Sequence, residues 1–146
     1  MSHRLSEIIE GFDLVSYHAG VNMAFAEVVG AGCKRLALSS PYDPELAEKM
    51  MEPTRVAAET YGVELKVETD LLVSKLFPED IAKDKTVIMI AQSSEVLDEY
   101  KRLKEMSRES AAKGHPEEME LDVARAFGRL LSYSEEKIEA LIERDG

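Results

Sequence analysis

Serine, glutamine and acid side chains collect just after three short apolar runs. Ser39 and Ser40 follow Lys34-Arg35-Leu36-Ala37-Leu38, Asp70 follows Val63 to Glu68 and Thr69, and Gln92, Ser93 and Ser94 follow Thr86 to Ala91. If the three runs are parallel strands, their carboxyl ends share one edge, where open sheets bind ligands. Helix starts at Asp43 and Ser94 would add positive dipole ends to the same crevice. Hydroxyls and free amides suit a phosphate or carboxylate. Ser39, Ser40, Asp70, Gln92, Ser93 and Ser94 are therefore the predicted site for a small anionic metabolite. Serine after a strand is also what caps the next helix, and that is its commoner use. Asp43 carries a charge that opposes an anion.

His18 and Asn22 lie one turn apart on a predicted helix and, with Tyr17, could face a pocket. A buried, hydrogen-bonded pair is the more ordinary account. Cys33, the single cysteine, is flanked by Lys34 and Arg35, cations that favour a thiolate; a small core residue is the alternative. His3, His18 and His115 share no metal-ligand spacing with Cys33, and acidic groups such as Asp80 with Asp84, or Glu117, Glu118 and Glu120, read as solvated helix faces. No metal and no cofactor is expected. Gly30-Ala31-Gly32 precedes a strand instead of following one, so it reads as a helix stop and not as a phosphate loop. No Gly-Lys-Ser/Thr loop is present, and no catalytic triad is recognisable from spacing.

The elements that must position these residues can be read from periodicity. Ser2 or Ser6 starts a first helix carrying Leu5, Ile8, Ile9 and Phe12. Asp13 caps a second, from Leu14 to about Val29, apolar nearly all round and therefore predicted to be buried. Residues 34–39 form a first strand. Asp43-Pro44-Glu45 opens a helix that Pro53 should kink or divide and Gly62 should end. Val63 to Glu68 alternates apolar and charged, the pattern of a half-exposed edge strand. Leu71 to Phe77 is ambiguous, and Pro78-Glu79-Asp80 breaks it. Thr86 to Ala91 is continuously apolar, a strand buried on both faces. Helices follow over about 95–112, 117–131 and 135–144.

Helix between strands implies parallel strands with crossover connections. The predicted fold is a single α/β domain over residues 1–146. It is a small three-layer sandwich with a three-stranded, mainly parallel sheet in the order 2-1-3 and additional N- and C-terminal helices. The stretch 69–85 is short for a full crossover helix.

Net charge is −11, with 29 acidic and 18 basic side chains. Nucleic acid and anionic membranes are disfavoured as partners, because both need a basic footprint. No apolar run approaches bilayer length. One cysteine, and glutamates at 7 and 10 near the N-terminus, predict a cytoplasmic protein without a secretory leader. One asparagine and one glutamine in 146 residues suggest a thermophilic source, against which the seven methionines count.

Along helix 95–112, Val96, Tyr100 and Leu103 form a narrow stripe that small residues continue. So thin a seam predicts a homodimer through this helix, which would also cover the apolar strand 86–91. Phe127-Gly128-Arg129-Leu130-Leu131-Ser132-Tyr133-Ser134-Glu135 resembles a C-terminal element of an uncharacterised archaeal protein family. There the pattern runs Gly, basic, Leu, Leu, Gly, Tyr, Pro, acid and two cysteines. Here Ser132 and Ser134 replace the glycine and proline, and Glu136 and Lys137 the cysteines, so any paired-cysteine chemistry is missing. The resemblance implies an archaeal-type protein and carries no activity. The leading functional reading is binding, of a small anion at the strand ends or of a second copy. The alternatives are a transferase- or hydrolase-like enzyme using the same edge, and a structural or regulatory interaction module.

Overall fold

A computed structural model describes residues 3–144 of the chain; Ser2, one of the two predicted starts of the first helix, lies outside them. The order is α1 (His3–Glu10), α2 (Leu14–Gly30), β1 (Leu36–Leu38), α3 (Pro44–Tyr61), β2 (Glu64–Glu68), α4 (Glu79–Ala82), β3 (Val87–Ala91), α5 (Ser94–Ala112), α6 (Glu117–Leu130) and α7 (Glu135–Arg144). Local chemistry accounts for most ends. The Asp13 carboxylate accepts the Ser16 N–H at 3.2 Å and caps α2. Pro44 sits in the first turn of α3, and Gly62 closes that helix at φ 69° in the left-handed region. Pro53 does not divide α3, which runs unbroken through it.

The sheet is α/β in class but antiparallel, and this corrects the expected parallel order 2-1-3. The strands lie in the order β1-β3-β2, with β3 antiparallel to both neighbours. The cause is the connection 69–85. It holds only the one-turn helix α4, too little to carry the chain back over the sheet for a parallel return. The chain instead turns at the end of β2 and re-enters beside it in the opposite direction. β1 and β2 therefore run the same way, with β3 filling the gap between them.

Helices cover both faces. Ala37, Ile88 and Ile90 pack with α2 and α3, while Leu36, Val87, Met89 and Ala91 pack with α5, α6 and α7. All five residues of β3 are buried, as its unbroken apolar run predicts. The end of α2 meets the end of α3 almost backbone to backbone: a Cβ on Gly30 would stand 2.6 Å from the Tyr61 carbonyl oxygen.

Two helices differ from expectation. α2 buries only Asn22, Ala26 and Val29, leaving Leu14, Val15, Met23 and Val28 exposed, because it packs chiefly against α3 and touches the sheet along one line, with no second layer over it among the described residues. α1 buries nothing. α5, whose stripe looked too thin to hold itself, buries Val96, Tyr100, Leu103 and Ser110 within the one chain. The seam of α5 therefore calls for no second copy. Among the described residues no helix is long and apolar enough to cross a membrane.

Candidate functional site

The antiparallel sheet splits the six predicted ligand residues between its two ends, so the single crevice does not form. Ser39 and Ser40 leave β1 beside the start of β3, at the end where Asp70 leaves β2. Gln92, Ser93 and Ser94 leave β3 at the other end, where the Gln92 N–H donates to the Arg35 carbonyl at the entrance to β1. The N-termini of α3 and α5 are separated in the same way. Asp43 is paired with Lys85.

Several of these groups are already in use. The Ser39 hydroxyl, buried, accepts the Ile88 N–H at 2.8 Å and donates to the Ser40 carbonyl at 2.9 Å, so a side chain bridges the β1–β3 ladder before pairing resumes at Tyr42 and Thr86. Asp70 belongs to a network behind the end of β2. Its N–H donates to Glu68 Oε1 at 3.0 Å, and Lys104 Nζ reaches its carbonyl at 2.8 Å. Glu68 is buried and also accepts from the Tyr100 hydroxyl (2.9 Å) and Lys104 Nζ (3.2 Å). Burial pushes the Glu68 carboxyl up, but the Asp70 N–H, Tyr100 and Lys104 together outweigh it and hold the group below its ordinary value. Burial raises the Tyr100 phenol, and the Glu68 charge raises it further. The Tyr100 oxygen in turn accepts the Leu72 N–H at 3.0 Å, so this network fastens residues 68–72 to α5.

His18 and Asn22 do not act as a pair. Asn22, fully buried, donates to Thr54 Oγ1 at 3.0 Å and lies 3.1 Å from the Tyr42 hydroxyl, tying α2 to α3. The His18 ring stands edge-on to Tyr17 and Tyr42, with centroids at 4.9 and 5.2 Å. Its Nδ1 is buried and without a partner among the described residues, and burial lowers its pKa, so it is neutral at pH 7. Cys33 is exposed and not a core residue. Among the described residues no group of three His, Cys, Asp or Glu side chains could hold a metal ion.

What the fold does build is a cavity of about 460 Å³ along the outer flank of β1. It is lined by Val21 and Phe25 of α2, by Leu71, Phe77 and Ile81 of the stretch after β2, and by Leu38 and Val87 of the sheet. Ser39, Ser40 and Pro41 stand at one rim, Lys34, Leu131 and Tyr133 at another. Size and lining are those of a small-molecule site: mostly apolar with few polar groups. Two of the six predicted residues, Ser39 and Ser40, belong to it.

Lys34 is its charged group. The side chain is half-buried; the ammonium donates to the Leu131 carbonyl and stands 4.9 Å from the centroid of the Tyr133 ring. Among the described residues no carboxylate lies within ion-pair distance of it. Burial lowers its pKa and raises that of Tyr133. From sequence alone Lys34 stands out only as a neighbour of Cys33. Its signal in the sequence is a lysine placed just ahead of the apolar run Leu36-Ala37-Leu38.

No protein-family profile, no curated protein and no solved structure matches this chain.

Proposed function

We propose that this protein binds a small organic anion with an apolar body, such as a medium-chain or aromatic carboxylate, in the cavity beside β1. The observation that carries the reading is Lys34: a half-buried ammonium at the rim of an apolar cavity, with no carboxylate within reach among the described residues. A lysine offers three N–H donors. One is spent on the Leu131 carbonyl, which leaves two for a ligand oxygen. Burial disfavours the charged amine, and an incoming anion relieves that penalty. The apolar walls then take the body of the ligand, and Ser40 offers a hydroxyl at the opposite rim. This is the anion-binding function expected from the sequence, moved from the strand ends to the flank of one strand.

The test is a thermal-shift and calorimetric comparison of decanoate with decanol, since a ligand specific to the native state raises its stability. Decanoate is expected to bind and decanol to bind much less. Lys34→Met should abolish the difference and Lys34→Arg preserve it. Decanoate binding should fade with rising pH below the ordinary lysine value of about 10.5, and at higher pH in Lys34→Arg. Equal binding of acid and alcohol, or unchanged decanoate binding in Lys34→Met, overturns the reading.

A further inference from the structure

The opposite flank of the sheet carries a different feature. The register fixes which backbone groups of β2 face outward. Gln92 N–H bonds to the Arg35 carbonyl and Ser39 N–H to the Ile88 carbonyl, so the even residues of β3 turn to β1 and the odd ones to β2. With Lys66 opposite Met89 and Glu68 opposite Val87, the even residues of β2 spend their backbone groups on β3. Leu65 and Val67 present theirs to the open edge. Val67 is 45% exposed, and neither Glu64 nor Lys66 has an ion-pair partner among the described residues.

We propose that this edge is the interface with a second copy of the chain, two β2 strands pairing antiparallel with Leu65 opposite itself. In that register Glu64 faces the partner's Lys66, Lys66 faces the partner's Glu64, and Val67 faces the partner's Val63. Each charged pair is of opposite sign and each remaining pair is apolar, the two favourable cross-strand combinations. Sliding by one pair in either direction sets Lys66 against its own copy or Glu64 against its own copy, which is repulsive. Leu65 exchanges both its backbone bonds with its copy. Val67 N–H donates to the partner's Val63 carbonyl; the Val63 N–H is already spent on Ala58. The result is one six-stranded sheet. The dimer is thus the one expected from the sequence, but through β2 and not through the buried stripe of α5.

Sedimentation velocity on the full chain across micromolar concentrations tests this, with Glu64→Lys, Lys66→Glu and the double variant. Both side chains are exposed, so the fold should stand. The wild type is expected at twice the mass of the chain. Each single variant places like charges opposite one another twice, and should self-associate at least about tenfold more weakly. Mixing the two single variants restores both opposite-charge pairs and should give a heterodimer, which also shows that each has folded. The double variant should dimerise as the wild type does. A monomeric wild type, single variants that associate normally, or a mixture that stays monomeric overturns the proposal.

Discussion

The two edges of this small sheet face the same hazard, an unpaired row of backbone groups, and meet it differently. β1 is three residues long and covered: Leu36 and Ala37 are inaccessible, and the turn after α6 folds over its entrance, where the Arg35 N–H donates to Ser132 Oγ at 2.9 Å. β2 is five residues long and open, with Glu64, Lys66 and Val67 exposed. Covering an edge takes walls that never fit perfectly, and at β1 the misfit is the cavity. Charging an edge repels most strands but leaves one register in which the charges attract. The covered edge suits a small molecule, and the charged edge suits a strand of matching sequence.

The largest test of this contrast removes what both edges share. Truncating Ile88 or Ile90 of β3 to alanine should cost about 2–5 kcal/mol in urea denaturation and weaken the two flanks together. Unequal loss of amide protection at β1 and β2 would show that the flanks do not depend on one strand. Next is Gly30→Ala. Its Cβ would meet the Tyr61 carbonyl at 2.6 Å, so α2 and α3 must part, at about 1–3 kcal/mol. Hydrogen exchange should quicken in α2 and leave the Glu68–Tyr100 contacts protected.

Smaller effects separate the flanks by pH. Behind β2, Glu68 is held below its ordinary value, so it contributes stability that is present above the unfolded carboxyl value of about 4.5 and is lost as pH falls through the folded one. Glu68→Gln should flatten the stability curve below about pH 4.5. On the β1 side, His18 also has a lowered value, and its unfolded form takes up a proton first as pH falls below about 6.5. Stability should therefore decline between neutral pH and the folded value of His18, and His18→Gln should remove that decline alone. Denaturation midpoints from pH 7 to pH 3 check both. A single transition abolished by either variant would merge the two flanks.

Much of this was legible in the residues. The apolar run Thr86 to Ala91 marks a strand covered on both faces, found at Val87–Ala91, the alternation of Val63 to Glu68 marks an edge strand, found at Glu64–Glu68, and Asp13, Pro44 and Gly62 mark helix ends. Strand direction was not legible, because an apolar run reports how many faces are covered and not which way the chain passes. Direction was decided by residues 69–85, whose sequence fits neither element well and yields a single helical turn. The predicted ligand set failed for that reason, since it assumed a common end for three strands. α2 misled through composition: it is apolar all round, yet one line of it suffices for α3 and the sheet. The cavity lay beyond reach because its walls come from α2, the 71–81 stretch and the turn after α6, brought together only by the fold.

The middle strand of the sheet is the last of the three to be synthesised. β1 and β2 lie on either side of β3 and do not touch, so a ribosome that has released residues 1–68 has delivered two strands with nothing to pair with. Every ladder bond waits for Val87 to Ala91, and β1 must hold its place across some fifty residues until β3 arrives. Contacts so distant in sequence slow folding and leave strands exposed meanwhile. A nascent or truncated chain ending before β3 would present the charged β2 and the apolar β1 unpaired, beside helices with no sheet to rest on, and would be a ready client for a chaperone.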